Sequence, residues 1–202
     1  AVERDGDGGL GAFDADRLRY LETLRGESVR LSHLVENVLS YARIERGRHR
    51  RSEPVAAGAL LDRCVPRLEE RAKQAGLELC VEAGEAGRAL WLRGDPEAVE
   101  QILFNLVDNA AKYAAGAADS RLHLRVGREG GWVAFRVSDH GPGLPADARR
   151  RLFTPFSKSA ERAASSAPGV GLGLALCRRL ARAMKGELRH EPRPGEAAGF
   201  TL

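Results

Sequence analysis

The sequence predicts an α+β chain, a two-layer α/β sandwich in which a mixed sheet of about five strands packs on about three helices, preceded by one long helix. Three observations predict it. Residues 16–46 place apolar side chains at alternating three- and four-residue steps. From Pro54 onward, helical and strand periods follow one another. The segment "RLHLRVGREGGWVAFRVSDHG" (121–141) alternates in period two on both sides of a glycine turn, the pattern of a hairpin.

The long helix shows Leu21, Leu24, Ser28, Leu31, Val35, Val38 and Ala42 as one heptad seam, with Asp14 or Asp16 to cap it and Gly47 to end it. Such a helix is far longer than the globular mean of about 11–12 residues. It is expected to bury its seam on a partner helix or another subunit. "RGRHRRSEP" (46–54) reads as a linker, dividing the chain into domains at 1–50 and 51–202. Residues 57–76 read as a helix ended by Gly76, although Pro66 opposes it. "LELCVEA" (77–83) and "RALWLRG" (88–94) read as strands. Asp95 and Pro96 supply the N-cap and N1 of a helix that runs to about Tyr113, with Glu97 in its first turn. "GLALCRRLARAMKG" (173–186) is an amphipathic helix, and "GELRHE" and "GFTL" are closing strands. "SKSAERAASSAPG" (157–169) is small and polar, a mobile loop.

Composition narrows the function classes. The chain has 202 residues, net charge +4, 43% apolar and 30% charged residues, which fits a folded, soluble protein with a real core. Its 32 basic residues are interleaved with acids, as in "RLEERAK" (67–73), so a nucleic-acid stripe is not expected. Three cysteines (Cys64, Cys80, Cys177) without a C-x-x-C pair argue against zinc of any kind and against a disulfide framework, and for a reducing, cytoplasmic setting. No run of about 18 apolar residues exists, so no direct membrane contact is expected. The opening "AVERDGDGGLGAFDADR" reads as a loop, as if the chain were cut from a longer protein.

Three constellations carry chemistry. In "FNLVDNAAKYA" (104–114), Asn105 and Asn109 share one helix face as i and i+4, with Lys112 three residues on. Two neutral oxygens and a cation suit Mg²⁺ bound to phosphates, while surface amides or capping amides would read the same way. In "SDHGPGL" (138–144), Asp139 is a carboxylate at a tight turn, fit to accept from an adenine amine or simply to make the turn. In "PGVGLGLALC" (168–177), glycines alternate with apolar residues just before a helix, a pattern for an anion cradle or a hinge.

Their order is specific. The N box "NLVDNAAKY", the first glycine box "DHGPGL", the F box "LFTPF" and the second glycine box "GVGLGL" together resemble the ATP-binding domain of sensor histidine kinases, in the superfamily of gyrase-type and heat-shock-chaperone ATPases. Residues 14–50 resemble the second helix of the kinases' dimerisation and phosphoacceptor hairpin, so the likeness covers nearly all the chain beyond the first dozen residues. The resemblance implies ATP and Mg²⁺ as cofactors. Asn109, helped by Asn105, would ligate Mg²⁺, and these two with Lys112 would form the catalytic set. Tyr113 would lie on the adenine, and Asp139 would read its amino group. Gly141, Gly143 and Leu144 would shape the pocket floor. Phe156 would anchor a lid over residues 157–168. Gly169, Val170, Gly171 and Gly173 would face the phosphates, with Leu172 and Leu174 as apolar walls. Thr201 is expected to reach the adenine side through water.

The related hydrolases carry a water-activating glutamate where this chain has Asn105. An amide takes no proton at neutral pH, which favours phosphoryl transfer over hydrolysis. The family's H-E-[LF]-[RK]-[TN]-P phosphoacceptor box is absent from the 202 residues; His33 is followed by "LVEN". The resemblance implies a response-regulator receiver domain as partner, and a homodimer through the hairpin helix of a parent protein whose relatives are commonly membrane-anchored. Two other readings compete, a nucleotide-binding module without turnover and a serine kinase of the anti-sigma-factor type. No role for His140, inside the first glycine box, follows from its sequence context.

Overall fold

Residues 52–156 and 171–202 are described by a computed structural model, together with seven helical positions between 17 and 35. Two units are formed, Ala1–Ser40 and Tyr41–Leu202. In the first, the helical positions at 17–35, named α1, bear the predicted seam. Leu21, Leu24, Leu31 and Val35 are all exposed, from 48% to 62%. Val38, Ala42 and Gly47 lie outside the described residues.

The second unit runs β1 (Glu53–Ala56), α2 (Ala57–Gln74), β2 (Glu78–Glu82), α3 (Gly84–Arg88), β3 (Trp91–Gly94), α4 (Pro96–Tyr113), β4 (Arg121–Glu129), β5 (Trp132–Asp139), α5 (Ala146–Arg151), α6 (Gly173–Ala183), β6 (Arg189–His190) and β7 (Ala198–Thr201). The main sheet has the order β2-β4-β5-β7-β6. β2 is parallel to β4 and the other pairs are antiparallel, so the sheet is mixed as predicted. The linker reading of 46–54 fails at its end, because Glu53 and Pro54 already belong to β1, which pairs with β3. Proline is accepted there because an edge strand needs no N–H from it.

Periodicity explains the layers. Along β4, Leu122, Leu124 and Val126 are buried, while Arg121, His123 and Arg125 alternate with them on the other face. The buried face receives Leu60, Leu61 and Leu68 of α2, Ile102, Leu103 and Leu106 of α4, and Leu176 and Leu180 of α6. Each such leucine contributes about 1.5–3 kcal/mol by burial. Pro66 does not break α2: it lies on the exposed side, where the carbonyl that its ring leaves without a donor can meet water. No helix among the described residues is long and apolar enough to cross a membrane.

Candidate functional site

α4 positions most of the candidate side chains. Asp95 caps it as predicted, its Oδ1 accepting from the N–H groups of Glu97 (3.0 Å) and Ala98 (3.2 Å). Asn105 is 8% exposed, and its Nδ2 donates to the Gln101 carbonyl at 2.8 Å. Its Oδ1 lies against the start of α6, where a Cβ added to Gly173 would come within 3.0 Å. One turn on, the Nδ2 of Asn109 is buried with no hydrogen-bond partner, a state that costs about 1–3 kcal/mol. Lys112 is held by Asp108, whose other oxygen accepts from Arg71 Nε at 2.9 Å. The Lys112 ammonium thus meets a carboxylate one turn back along α4. The i,i+4 spacing of Asp108 and Lys112 could have revealed that pair, whereas nothing local pointed to Arg71.

The first glycine box meets the other end of α4. Asp139 closes β5, and its Oδ1 accepts from the Gly141 N–H at 2.9 Å. Burial raises its pKa above the ordinary carboxylate value, against the pull of that hydrogen bond. Gly141 must be glycine, since a Cβ would stand 2.9 Å from the Cα of Ala114, next to Tyr113. Gly143 has φ +73° and faces the Ala197 carbonyl. Leu144 is half-buried against the core, and Tyr113 is 42% exposed at the end of α4.

Phe156 has φ +57° and a side chain 66% exposed, and its N–H donates to the Gly171 carbonyl at 3.2 Å. The F box is thereby tied to the second glycine box. Leu172 is buried, and Leu174 is half-buried against the core. Gly169, Val170 and the lid reading of 157–168 lie outside the described residues. Thr201 is placed differently from expectation. Register pairs it with Arg136, whose Nη1 donates to its hydroxyl at 2.9 Å, so the hydroxyl belongs to a network on the outer face of the sheet. That network, unseen in the sequence, centres on Glu196, which accepts from Arg136, Arg125 (3.1 Å) and the Arg193 N–H (2.9 Å).

The amide pair on α4 thus meets the glycine-started α6 through Asn105, and the half-buried carboxylate of Asp139 stands by the helix's far end, where Gly141 meets Ala114. A family model described as "Histidine kinase-, DNA gyrase B-, and HSP90-like ATPase" matches residues 94–202, more than half of the chain. The chain belongs to this family. It carries the ATP-binding catalytic domain of histidine kinases. It is 29% identical to the "Circadian input-output histidine kinase CikA" of Synechococcus elongatus over 96% of this chain and 26% of that protein. It is 32% identical to the "Signal transduction histidine-protein kinase AfsQ2" of Streptomyces coelicolor, over 98% of this chain and 35% of that one. Among solved structures, full-length ShkA in complex with AMPPNP is similar with TM-score 0.70 and 29% identity, covering 92% of this chain and 38% of that one. The chain therefore spans between about a quarter and a third of these two curated histidine kinases.

Proposed function

We propose that this domain binds ATP with Mg²⁺ and passes the γ-phosphoryl group to a histidine outside these 202 residues, for onward transfer to a response-regulator aspartate. The observation that carries the reading is Asn105. At the position where the family's hydrolases keep a glutamate, a neutral amide sits 3.0 Å from where a Gly173 Cβ would be, at the N-terminus of α6. That end offers backbone N–H groups to phosphate and no base to water. The AMPPNP complex of the similar ShkA supports ATP as the ligand.

Asn109, with Asn105 beside it, would hold Mg²⁺ through its amide oxygen, while its unpartnered Nδ2 would donate to a phosphate oxygen. The ion, when bound, offsets charge on the phosphates. Lys112 exchanges Asp108 for phosphate oxygens. Asp139 accepts from the adenine amine, with Tyr113 against the ring and Gly141, Gly143 and Leu144 beneath. Gly171 and Gly173 face the phosphates, with Leu172 and Leu174 as apolar walls. Along α4, Asn105 and Tyr113 are separated by about 12 Å of helix rise, so phosphates and base take opposite ends. The exposed seam of α1 supports a homodimer in the parent protein.

The test is to mix the chain with γ-labelled ATP, Mg²⁺ and a protein bearing the H-E-[LF]-[RK]-[TN]-P helix. Acid-labile phosphohistidine is expected on the added protein, none on the chain alone, and none with Asn109→Ala. Nucleotide binding without transfer would support the interaction-module reading. Label on a histidine of this chain would show the acceptor to be misplaced.

A further inference from the structure

On the outer face of the sheet, two histidines from different elements meet. His123 lies on β4 and His140 follows Asp139 in the first glycine box. Their Nε2 atoms are 3.2 Å apart. Each ring has its other nitrogen engaged. His123 Nδ1 lies 2.5 Å from Glu82 Oε1, and His140 Nδ1 lies 2.9 Å from the Gly195 carbonyl. A carbonyl only accepts, so His140 Nδ1 carries its proton. Glu82 is gripped through both oxygens by the Arg125 guanidinium, at 2.9 and 3.2 Å, and so serves as an acceptor, and His123 Nδ1 carries its proton too. With both Nδ1 atoms protonated, each neutral ring presents an Nε2 lone pair, and the two lone pairs face one another.

Two opposed lone pairs at that separation need something positive between them. A single added proton satisfies them. So does a metal ion, and the surroundings favour one. Histidines that bind metals characteristically donate the remote N–H to a carboxylate or a backbone carbonyl, which sets the tautomer and raises the basicity of the ligating nitrogen. Here one ring has the carboxylate and the other the carbonyl. Imidazole nitrogens on one tetrahedral zinc stand about 3.3 Å apart, given bonds of about 2.0–2.1 Å. Asp119 adds an oxygen, its Oδ2 lying 3.7 Å from His140 Nε2. In the free chain that carboxylate is forked by Arg121, whose Nε and Nη2 donate to Oδ1 at 2.9 Å and to Oδ2 at 2.6 Å. The side chains of His123, His140 and Asp119 are 12%, 21% and 32% exposed, so the cluster reaches solvent.

We propose that His123 and His140 form a binding site for a zinc-class divalent ion, with Asp119 as the adjacent oxygen donor. No three His, Cys, Asp or Glu side chains among the described residues already form a metal-holding group. The ion therefore holds two imidazoles, competes with Arg121 for an Asp119 oxygen, and completes its shell with water. Imidazole selects zinc, copper and nickel over magnesium, so this site does not compete for the ion of the nucleotide. Because His140 adjoins Asp139, the bound ion ties the first glycine turn to β4.

Zinc chloride titrated calorimetrically into the nucleotide-free chain tests the site. One ion should bind, and His123→Gln and His140→Gln should each weaken binding about tenfold or more. Smaller losses in either folded variant, or no binding by the wild type, would overturn the proposal. Should either variant not fold, the imidazole nitrogen spectrum of the wild type decides. Zinc must move the Nε2 resonances of His123 and His140 while both Nδ1 atoms remain protonated, and unmoved resonances would refute the site.

Discussion

Asp139, which we propose reads the adenine amine, costs the free protein stability. Its carboxyl is pushed up from the ordinary 3.8 by burial, and the Gly141 N–H offsets only part of this. A carboxylate whose folded pKa is raised weakens the fold at every pH above its unfolded pKa. Asp139→Asn keeps an oxygen for Gly141 and removes the buried charge. The variant should therefore be more stable than wild type in urea at pH 7, yet bind an ATP analogue about tenfold more weakly or worse by calorimetry, having lost a charge-assisted acceptor. Unchanged affinity would remove Asp139 from the base-reading role. The sequence exposed this residue because Asp-x-Gly-x-Gly at a strand end is distinctive. It could not expose Arg71 or Glu82, whose partners Asp108 and His123 lie 37 and 41 positions away.

At the scale of elements, the informative contact is between α4 and α6. Alanine at a helix position is ordinarily better than glycine by about 1 kcal/mol. At Gly173 that gain is opposed by the approach of a Cβ to Asn105 Oδ1 at 3.0 Å. Gly173→Ala should leave thermal stability within about 1 kcal/mol of wild type, while ATP-analogue affinity falls several-fold as the Asn105 amide is displaced. A parallel loss of stability and affinity would mean that the glycine serves packing rather than the ligand. Element type was legible wherever the period was long: α2, α4 and the β4–β5 hairpin follow the predicted limits to within a few residues. The short pieces escaped because one or two turns carry too little pattern. α3 and α5 have five and six residues, and β1 was hidden in an apparent linker.

The molecule's acid response should be set largely on its outer sheet face. Burial alone would raise the Glu196 carboxyl, but hydrogen bonds from Arg136, the Arg193 N–H and Ser138 bring it down to about 2 from 4.5. A depressed pKa means stability that is full above about 4.5 and lost as pH falls toward about 2. The contribution is on the order of 3 kcal/mol, and Arg136 is 3% exposed, so removing its partner leaves a buried charge. Glu196→Gln should thus destabilise the second unit by about 3 kcal/mol at pH 7 in urea melts. The gap from wild type should close as pH is lowered through that window, and a gap independent of pH would place the effect elsewhere.

What the sequence alone determined is whatever is local or ordered along the chain: helix and strand periods, the Asp95 cap, the α1 seam, and four boxes whose succession marks the family. Each depends on residues within a turn or two of one another, which is the range over which periodicity and capping act. Tertiary structure alone decided the partners: Arg71 on Asp108, Thr201 on Arg136, His123 against His140. Sheet order and register choose these neighbours, and a strand pairing that joins residues tens of positions apart leaves no trace in either segment by itself.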